Sequence, residues 1–274
     1  MRVIILAYDG LEYTLVKKWR LRHIMQIRHG IHRSPISPRY GKPHTPSAWT
    51  SFLTGLEPRE HGVDDWWSFG RFLDWIRYKP PLVWIKGKRL FLKKLGIEIK
   101  PKLVDHSVIR HRTLFDMVKP STAVYVPAWN EPVEPHHEYA EALSRSVREY
   151  ISTVWKWHRK RVEDYWKAFK RGDWRLLMAW FDVADIIGHV CITKCPKEFR
   201  LAYLALEKLA HDTQKRLPED TFLLIVSDHG MKAMPDGTGD HTDYGFWSIN
   251  RDWEWFNPKK ITDFFNLILK VVEL

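Results

Sequence analysis

Val3-Ile4-Ile5-Leu6-Ala7-Tyr8-Asp9-Gly10 is an apolar run of strand length that ends on a carboxylate. Two later stretches repeat the arrangement: Leu176-Leu177-Met178-Ala179-Trp180-Phe181-Asp182 and Phe222-Leu223-Leu224-Ile225-Val226-Ser227-Asp228-His229-Gly230. Runs this apolar, without polar alternation, read as strands buried on both faces of a parallel sheet. Helical patterns lie between them, which predicts an α/β fold with a mostly parallel central sheet sandwiched between helices. In open α/β sheets ligands bind past the carboxyl ends of the strands. Asp9, the segment from Asp182 to His189, and Asp228-His229 therefore arrive where a site is expected, and carboxylates with imidazoles are the raw material of a metal centre.

At 274 residues the chain suits a single domain, with a small inserted segment. The 45% hydrophobic content and 15 tryptophans exclude a disordered chain. No run of about 18 apolar residues is present, so no membrane span is expected. The first strand begins at Val3, which leaves no room for a signal peptide, and a cytoplasmic protein is expected. Cys191 and Cys195 make no disulfide framework and read as buried free thiols, with a zinc-thiolate role beside His189 as the alternative.

The formal net charge of +11 favours an anionic partner or substrate. The densest basic stretch holds Lys86, Lys88, Arg89, Lys93, Lys94, Lys100, Lys102, Arg110 and Arg112. It is either a solvated surface or a face for a phosphate-bearing polymer such as nucleic acid. It lies in a Trp-rich, Lys-rich insertion spanning about 64–112. The surrounding pattern predicts a helix over 11–29, a short extended piece at 31–36, a helix over 45–54 stopped by Gly55, a short helix at 113–119, a strand at 122–127 and one long helix over 138–170. Strand 175–182, helix 196–216, strand 221–227, a Gly- and Asp-rich loop at 234–242, strand 246–249 and a terminal helix complete it.

Three further features carry chemistry. Pro46 favours the first helical position, which makes Thr45 the N-cap. Thr45 is then either a structural cap or a nucleophile in the positive potential of a helix N-terminus, needing a metal or base to shed its proton. Asp185 and His189 stand one helical turn apart and could grip one ion; Asp182 competes with Asp185 and would otherwise be a capping or supporting residue. Gly239-Asp240-His241 follows Asp228-His229 after a short loop, which makes His241 a plausible third imidazole.

Together these residues resemble the alkaline phosphatase superfamily, and most closely its type I phosphodiesterase and nucleotide pyrophosphatase branch. The likeness rests on Tyr8-Asp9-Gly10, on the run from Thr45 through Thr54-Gly55 to His61-Gly62-Val63, on Asp185 to His189, on Ser227-Asp228-His229-Gly230 and on Gly239-Asp240-His241, in the family's order. The resemblance implies a hydrolase with two divalent ions, with Asp9, Thr45, Asp228 and His229 around one and Asp185, His189 and His241 around the other. A nitrogen and oxygen ligand set points to zinc, with manganese as the alternative. It also implies that Thr45 forms a phosphothreonine intermediate on a phosphate-ester or nucleotide substrate. A phosphomonoesterase, a sulfate or phosphonate hydrolase, and a non-catalytic nucleic-acid-binding relative are the alternatives. Where many relatives carry a phosphate-contacting Asn, this chain has Trp66, preceded by Asp65, and these two become the substrate-binding candidates. The large cap of the phosphoglycerate mutases is missing, which argues against a mutase.

Overall fold

A computed structural model of the chain describes residues 1–69 and 101–274. Six strands form the central sheet: β1 (Arg2–Tyr8), β2 (Arg28–Arg33), β5 (Ser121–Val124), β6 (Leu176–Phe181), β7 (Thr221–Val226) and β10 (Tyr244–Ile249), in the order β2-β10-β7-β1-β6-β5. β10 runs antiparallel to β7 and β2, while β1 pairs in parallel with β6 and β7, and β5 in parallel with β6. Every residue of β6 and β7 is buried, as expected of strands covered on both faces.

Alternation along β1 divides the core. Ile4, Leu6 and Tyr8 join one apolar layer; Val3, Ile5 and Ala7 join the other. The first layer is completed by α6 (Glu134–Arg145), α7 (Val147–Arg171), α8 (Val183–Cys191) and α9 (Pro196–Gln214), the second by α3 (Thr45–Thr54), α5 (Leu114–Met117) and α10 (Asp263–Glu273). Full burial of each large apolar side chain contributes roughly 1.5–3 kcal/mol, so the wholly buried strands β6 and β7 contribute heavily to the stability of the sheet. With β1 they aim their carboxyl ends at one point: Tyr8 pairs with Phe181 and Ala7 with Val226, so Asp9, Asp182 and Asp228 leave the sheet at nearly the same level.

The expected helix over 11–29 is instead α1 (Tyr13–Lys18), α2 (Arg22–Met25) and then β2. Arg20 (φ +53°) and Gln26 (φ +51°) turn the chain out of the helical path, which delivers β2 to the edge of the sheet against β10. The expected long helix divides at Ser146, whose side chain accepts from the Glu149 N–H and starts α7. Most of the basic insertion, including Lys86, Lys88, Arg89, Lys93, Lys94 and Lys100, lies outside the described residues. Its two flanks pair as β3 (Trp67–Ser68) and β4 (Lys102–Leu103), and Arg110 and Arg112 are exposed. Among the described residues no helix is long and apolar enough to cross a membrane.

Cys191 and Cys195 are joined in a disulfide, which corrects the expectation of free thiols. Cys191 ends α8 and Cys195 is the N-cap of α9. The turn between these helices brings the two sulfurs together, a contact that residue spacing alone left undecided.

Candidate active site

Six candidate ligands are delivered by four elements, and the structure gathers them into two adjoining groups. Asp9, Asp228 and His229 form one; Asp185, His189 and His241 form the other; within each, the candidate ligand atoms all lie within 4.8 Å of one another. Asp9 follows β1 and Asp228-His229 follows β7. Asp185 and His189 lie on one face of α8, and His241 ends β9 (Gly239–His241). Gly10, at φ +69°, allows the approach of α8: a Cβ there would meet the Asp185 Cα at 2.7 Å. The rings of His229 and His241 stack at 3.6 Å between centroids, which joins the two groups.

The histidines are oriented by backbone carbonyls. His189 Nδ1 donates to the Gly239 carbonyl (2.9 Å), His229 Nδ1 to Gly230 (3.1 Å) and His241 Nδ1 to Pro43 (2.9 Å). A carbonyl only accepts, so each Nδ1 carries the proton and each Nε2 presents a lone pair when the ring is neutral. Those lone pairs all face the centre. His229 Nε2 stands 3.3 Å from Asp9 Oδ1 and 3.3 Å from Asp228 Oδ2. His241 Nε2 lies 3.1 Å from His189 Nε2 and 3.5 Å from Asp185 Oδ1.

Such crowding of electron pairs needs positive charge between them. Asp9 Oδ1, Asp185 Oδ1 and both oxygens of Asp228 are buried without a hydrogen-bond partner. Burial, and then the neighbouring carboxylates, push Asp9 and Asp228 well above the usual carboxylate range. Burial also opposes ionisation of Asp185, but His189, His241 and His229 outweigh it and hold this carboxyl well below its ordinary value. Asp185 in turn raises His189 to about 9. Burial, reinforced by the charge of its histidine neighbours, lowers His229 and His241. Orphaned buried oxygens, inward lone pairs and a nitrogen–oxygen donor set all fit two divalent cations.

Thr45 lies beside the first group. The helix α3 starts at Thr45 itself, His44 is the N-cap, and no side chain caps it. This corrects the expectation that Thr45 is the cap. Its hydroxyl is buried and donates to His229 Nε2 at 3.4 Å, so no capping bond competes for it. The other helix boundary is as expected: Gly55 takes a left-handed φ of +72° and ends α3.

The two substrate candidates separate. The Asp65 carboxylate is paired with the Arg39 guanidinium. Trp66 stands among rings, 6.5 Å from His44, 4.6 Å from His136 and 6.2 Å from Trp180 by centroids, and so forms an aromatic wall beside the start of α3. Asp182, the alternative ligand, accepts instead from Tyr139 (3.1 Å) and from Arg161 (3.0 Å), outside both groups.

Sequence reasoning missed the supporting residues. Ser34 Oγ donates to the Asp228 carbonyl, Ser227 Oγ donates to the His229 carbonyl (2.6 Å), and His32 Nε2 donates to the Ser227 carbonyl (2.8 Å). Lys42 binds Asp240 at 2.5 Å, beside a cavity of about 500 Å³ that reaches His189 and is also lined by Met234, Pro235 and Thr238. Ser34 and Lys42 lie in loops and His32 in an edge strand, where single residues carry no pattern of their own; Ser227 was legible only as part of the motif before Asp228.

Comparison with known proteins bears on the family and the fold. The family model for type I phosphodiesterase / nucleotide pyrophosphatase matches residues 3–253. No curated protein matches the chain. Among solved structures, murine ectonucleotide pyrophosphatase / phosphodiesterase 5 superposes with a TM-score of 0.51 at 14% identity, over 86% of this chain and 59% of that one. An inactive form of the same murine protein, in complex with AMP, gives 0.50 at 16% identity, over 86% of this chain and 59% of that one. Alkaline phosphatase from the Antarctic bacterium TAB5 gives 0.53 at 11%, over 99% and 98%. Phosphonoacetate hydrolase from Sinorhizobium meliloti 1021 gives 0.53 at 13%, over 88% and 59%. The chain thus spans about three fifths of the murine protein and of the hydrolase. At such identities the likeness establishes the α/β fold.

Proposed function

The chain belongs to the type I phosphodiesterase / nucleotide pyrophosphatase family of the alkaline phosphatase superfamily, and from that membership we propose that it is a two-metal phosphoric ester hydrolase, acting on diesters through a phosphothreonine intermediate. The observation that carries the reading is the Thr45 hydroxyl, free of any capping duty and 3.4 Å from His229 Nε2, beside one group of orphaned ligands whose His229 stacks on His241 of the second. Asp9, Asp228 and His229, with Thr45, would hold one ion; Asp185, His189 and His241 would hold the other, with zinc favoured and manganese the alternative. Two such ions would lower the pKa of the Thr45 hydroxyl and neutralise charge on the reacting oxygens.

The protein's own groups supply the rest. Thr45 Oγ1 passes its proton to solvent and forms a bond to phosphorus, while the ester oxygen opposite leaves with its electron pair and takes up a proton from solvent. The positive end of α3, a ten-residue helix, faces the phosphoryl group and favours its negative charge. Water then cleaves the phosphothreonine and returns the proton to Thr45. Trp66 offers a flat face to the part of the substrate beyond the phosphate. The AMP bound by the murine relative supports a nucleoside monophosphate as the group retained on Thr45. Nucleic acid as a substrate rests on the charge of the chain alone.

The test is a panel of bis-p-nitrophenyl phosphate, p-nitrophenyl phosphate and a dinucleotide, assayed with zinc or manganese and with excess chelator. Turnover is expected to be fastest on the diesters and lost on chelation, with acid quench trapping on Thr45 the phosphoryl group with its second ester arm still attached. Faster turnover of the monoester would make the chain a phosphomonoesterase. Metal-loaded protein that turns over none of the three, yet retains a single-stranded oligonucleotide, would mark a non-catalytic binder.

A further inference from the structure

Asp9 is wholly buried, like Asp228 and His229, and its two oxygens are treated differently. Oδ1 has no hydrogen-bond partner and faces His229 Nε2 at 3.3 Å. Oδ2 accepts two indole N–H groups, from Trp180 at 2.8 Å and from Trp49 at 3.2 Å. Asp9 and Trp49 are wholly buried and Trp180 nearly so. We infer that Trp49 and Trp180 are positioning residues that make Asp9 a one-oxygen ligand.

An indole nitrogen only donates and keeps its proton throughout the working pH range. Two such donors saturate Oδ2, which leaves Oδ1 alone to carry the carboxylate to a cation and fixes the plane of the group. The placement follows from the fold. Trp180 pairs with Ala7 across β6 and β1, and the small alanine leaves room for the indole to reach the carboxylate at the end of β1. Trp49 lies one helical turn after Thr45 in α3, so the helix that carries the nucleophile also holds the ligand. Trp180 is itself held: the Arg161 guanidinium lies 4.5 Å over its ring and is anchored by Asp182 (3.0 Å) and Glu131 (3.3 Å). A cation over the face withdraws electron density and strengthens the N–H as a donor.

The inference rests on Asp9 holding an ion, and not on which ester is cleaved. Trp180→Phe and Trp49→Phe remove the donor and keep most of the ring volume. Each variant is titrated with zinc in a calorimeter beside the unaltered protein. One of the two equivalents is expected to weaken 10- to 100-fold, the usual loss when a ligand's own hydrogen-bond partner is removed, while the other keeps its affinity. A merely structural role would lower thermal stability and leave both affinities unchanged; that result would overturn the inference. A second measurement needs no variant. Zinc added to the unaltered protein should perturb the near-ultraviolet absorption of indole at the first, Asp9-linked equivalent, and a flat difference spectrum through both equivalents would count against the idea even if the variants fail to fold. Unaltered protein that binds no zinc at all would instead remove the metal-site reading from which the inference starts.

Discussion

At the scale of single residues, the site separates groups that do chemistry from groups that hold them. Thr45 makes no capping bond, so Thr45→Ala should change stability by less than the roughly 1 kcal/mol that a lost cap costs. Turnover should fall by several orders of magnitude. A urea melt and a diester assay on the same preparation check both halves, and near-normal turnover would mean that water attacks phosphorus directly. His32 is a support with a pH signature. Burial lowers it to about 4, against backbone hydrogen bonds that pull the other way. The unfolded chain, with an ordinary value near 6.5, therefore takes up the proton first as pH falls. The contribution of neutral His32 is complete above pH 6.5 and is lost progressively towards pH 4, by up to about 3 kcal/mol. In chelator, the stability gap between the unaltered protein and His32→Gln should narrow over that window. A gap constant from pH 7 to 4 would show that His32 stays out of the titration.

At the scale of elements, α8 is where ligand geometry and covalent structure meet. It presents Asp185 and His189 on one face, and the Cys191–Cys195 bridge closes its last turn two residues after His189. A bridge over so short a loop constrains the unfolded chain modestly, by about 2 kcal/mol. Reduction, or Cys191→Ser with Cys195→Ser, should cost that much in a urea melt and weaken the metal equivalent held by Asp185, His189 and His241, leaving the Asp9 equivalent unchanged. Equal affinities before and after reduction would confine the bridge to stability. Intact-mass measurement with and without reductant establishes how much of the purified protein carries it; such bridges persist in oxidising compartments.

At the scale of the whole molecule, the insertion is placed by its flanks. The Trp66 carbonyl accepts from the Val104 N–H at 2.9 Å, and Trp67 pairs with Leu103. The flanks of the insertion therefore meet at the aromatic wall that Trp66 forms beside the start of α3. Replacing Lys86, Lys88 and Arg89 together by Gln should raise KM for a large anionic diester several-fold, with little change for a small chromogenic one. The difference should shrink as salt rises, because screening at about 0.1 M already reaches 10 Å. Identical small changes for both substrates at low salt would rule out recognition by these three residues.

The strands that decide this fold could be read directly from the chain, because a strand buried on both faces must be apolar throughout and its end is marked by the first carboxylate. The candidate ligands were legible for the same reason: Asp9, Asp228 and His229 sit where apolar runs stop, and Asp185 and His189 share a helical face. What depended on tertiary packing had no local signature. The splitting of the 11–29 segment served the edge of the sheet. Thr45 lost its capping role once His44 took that place, and the two cysteines met only because α8 and α9 turn against each other. The indoles of Trp49 and Trp180 converge on one oxygen of Asp9 because β6 and α3 meet there, 131 positions apart in sequence. Periodicity reports which face a residue lies on; only the folded chain decides which faces meet.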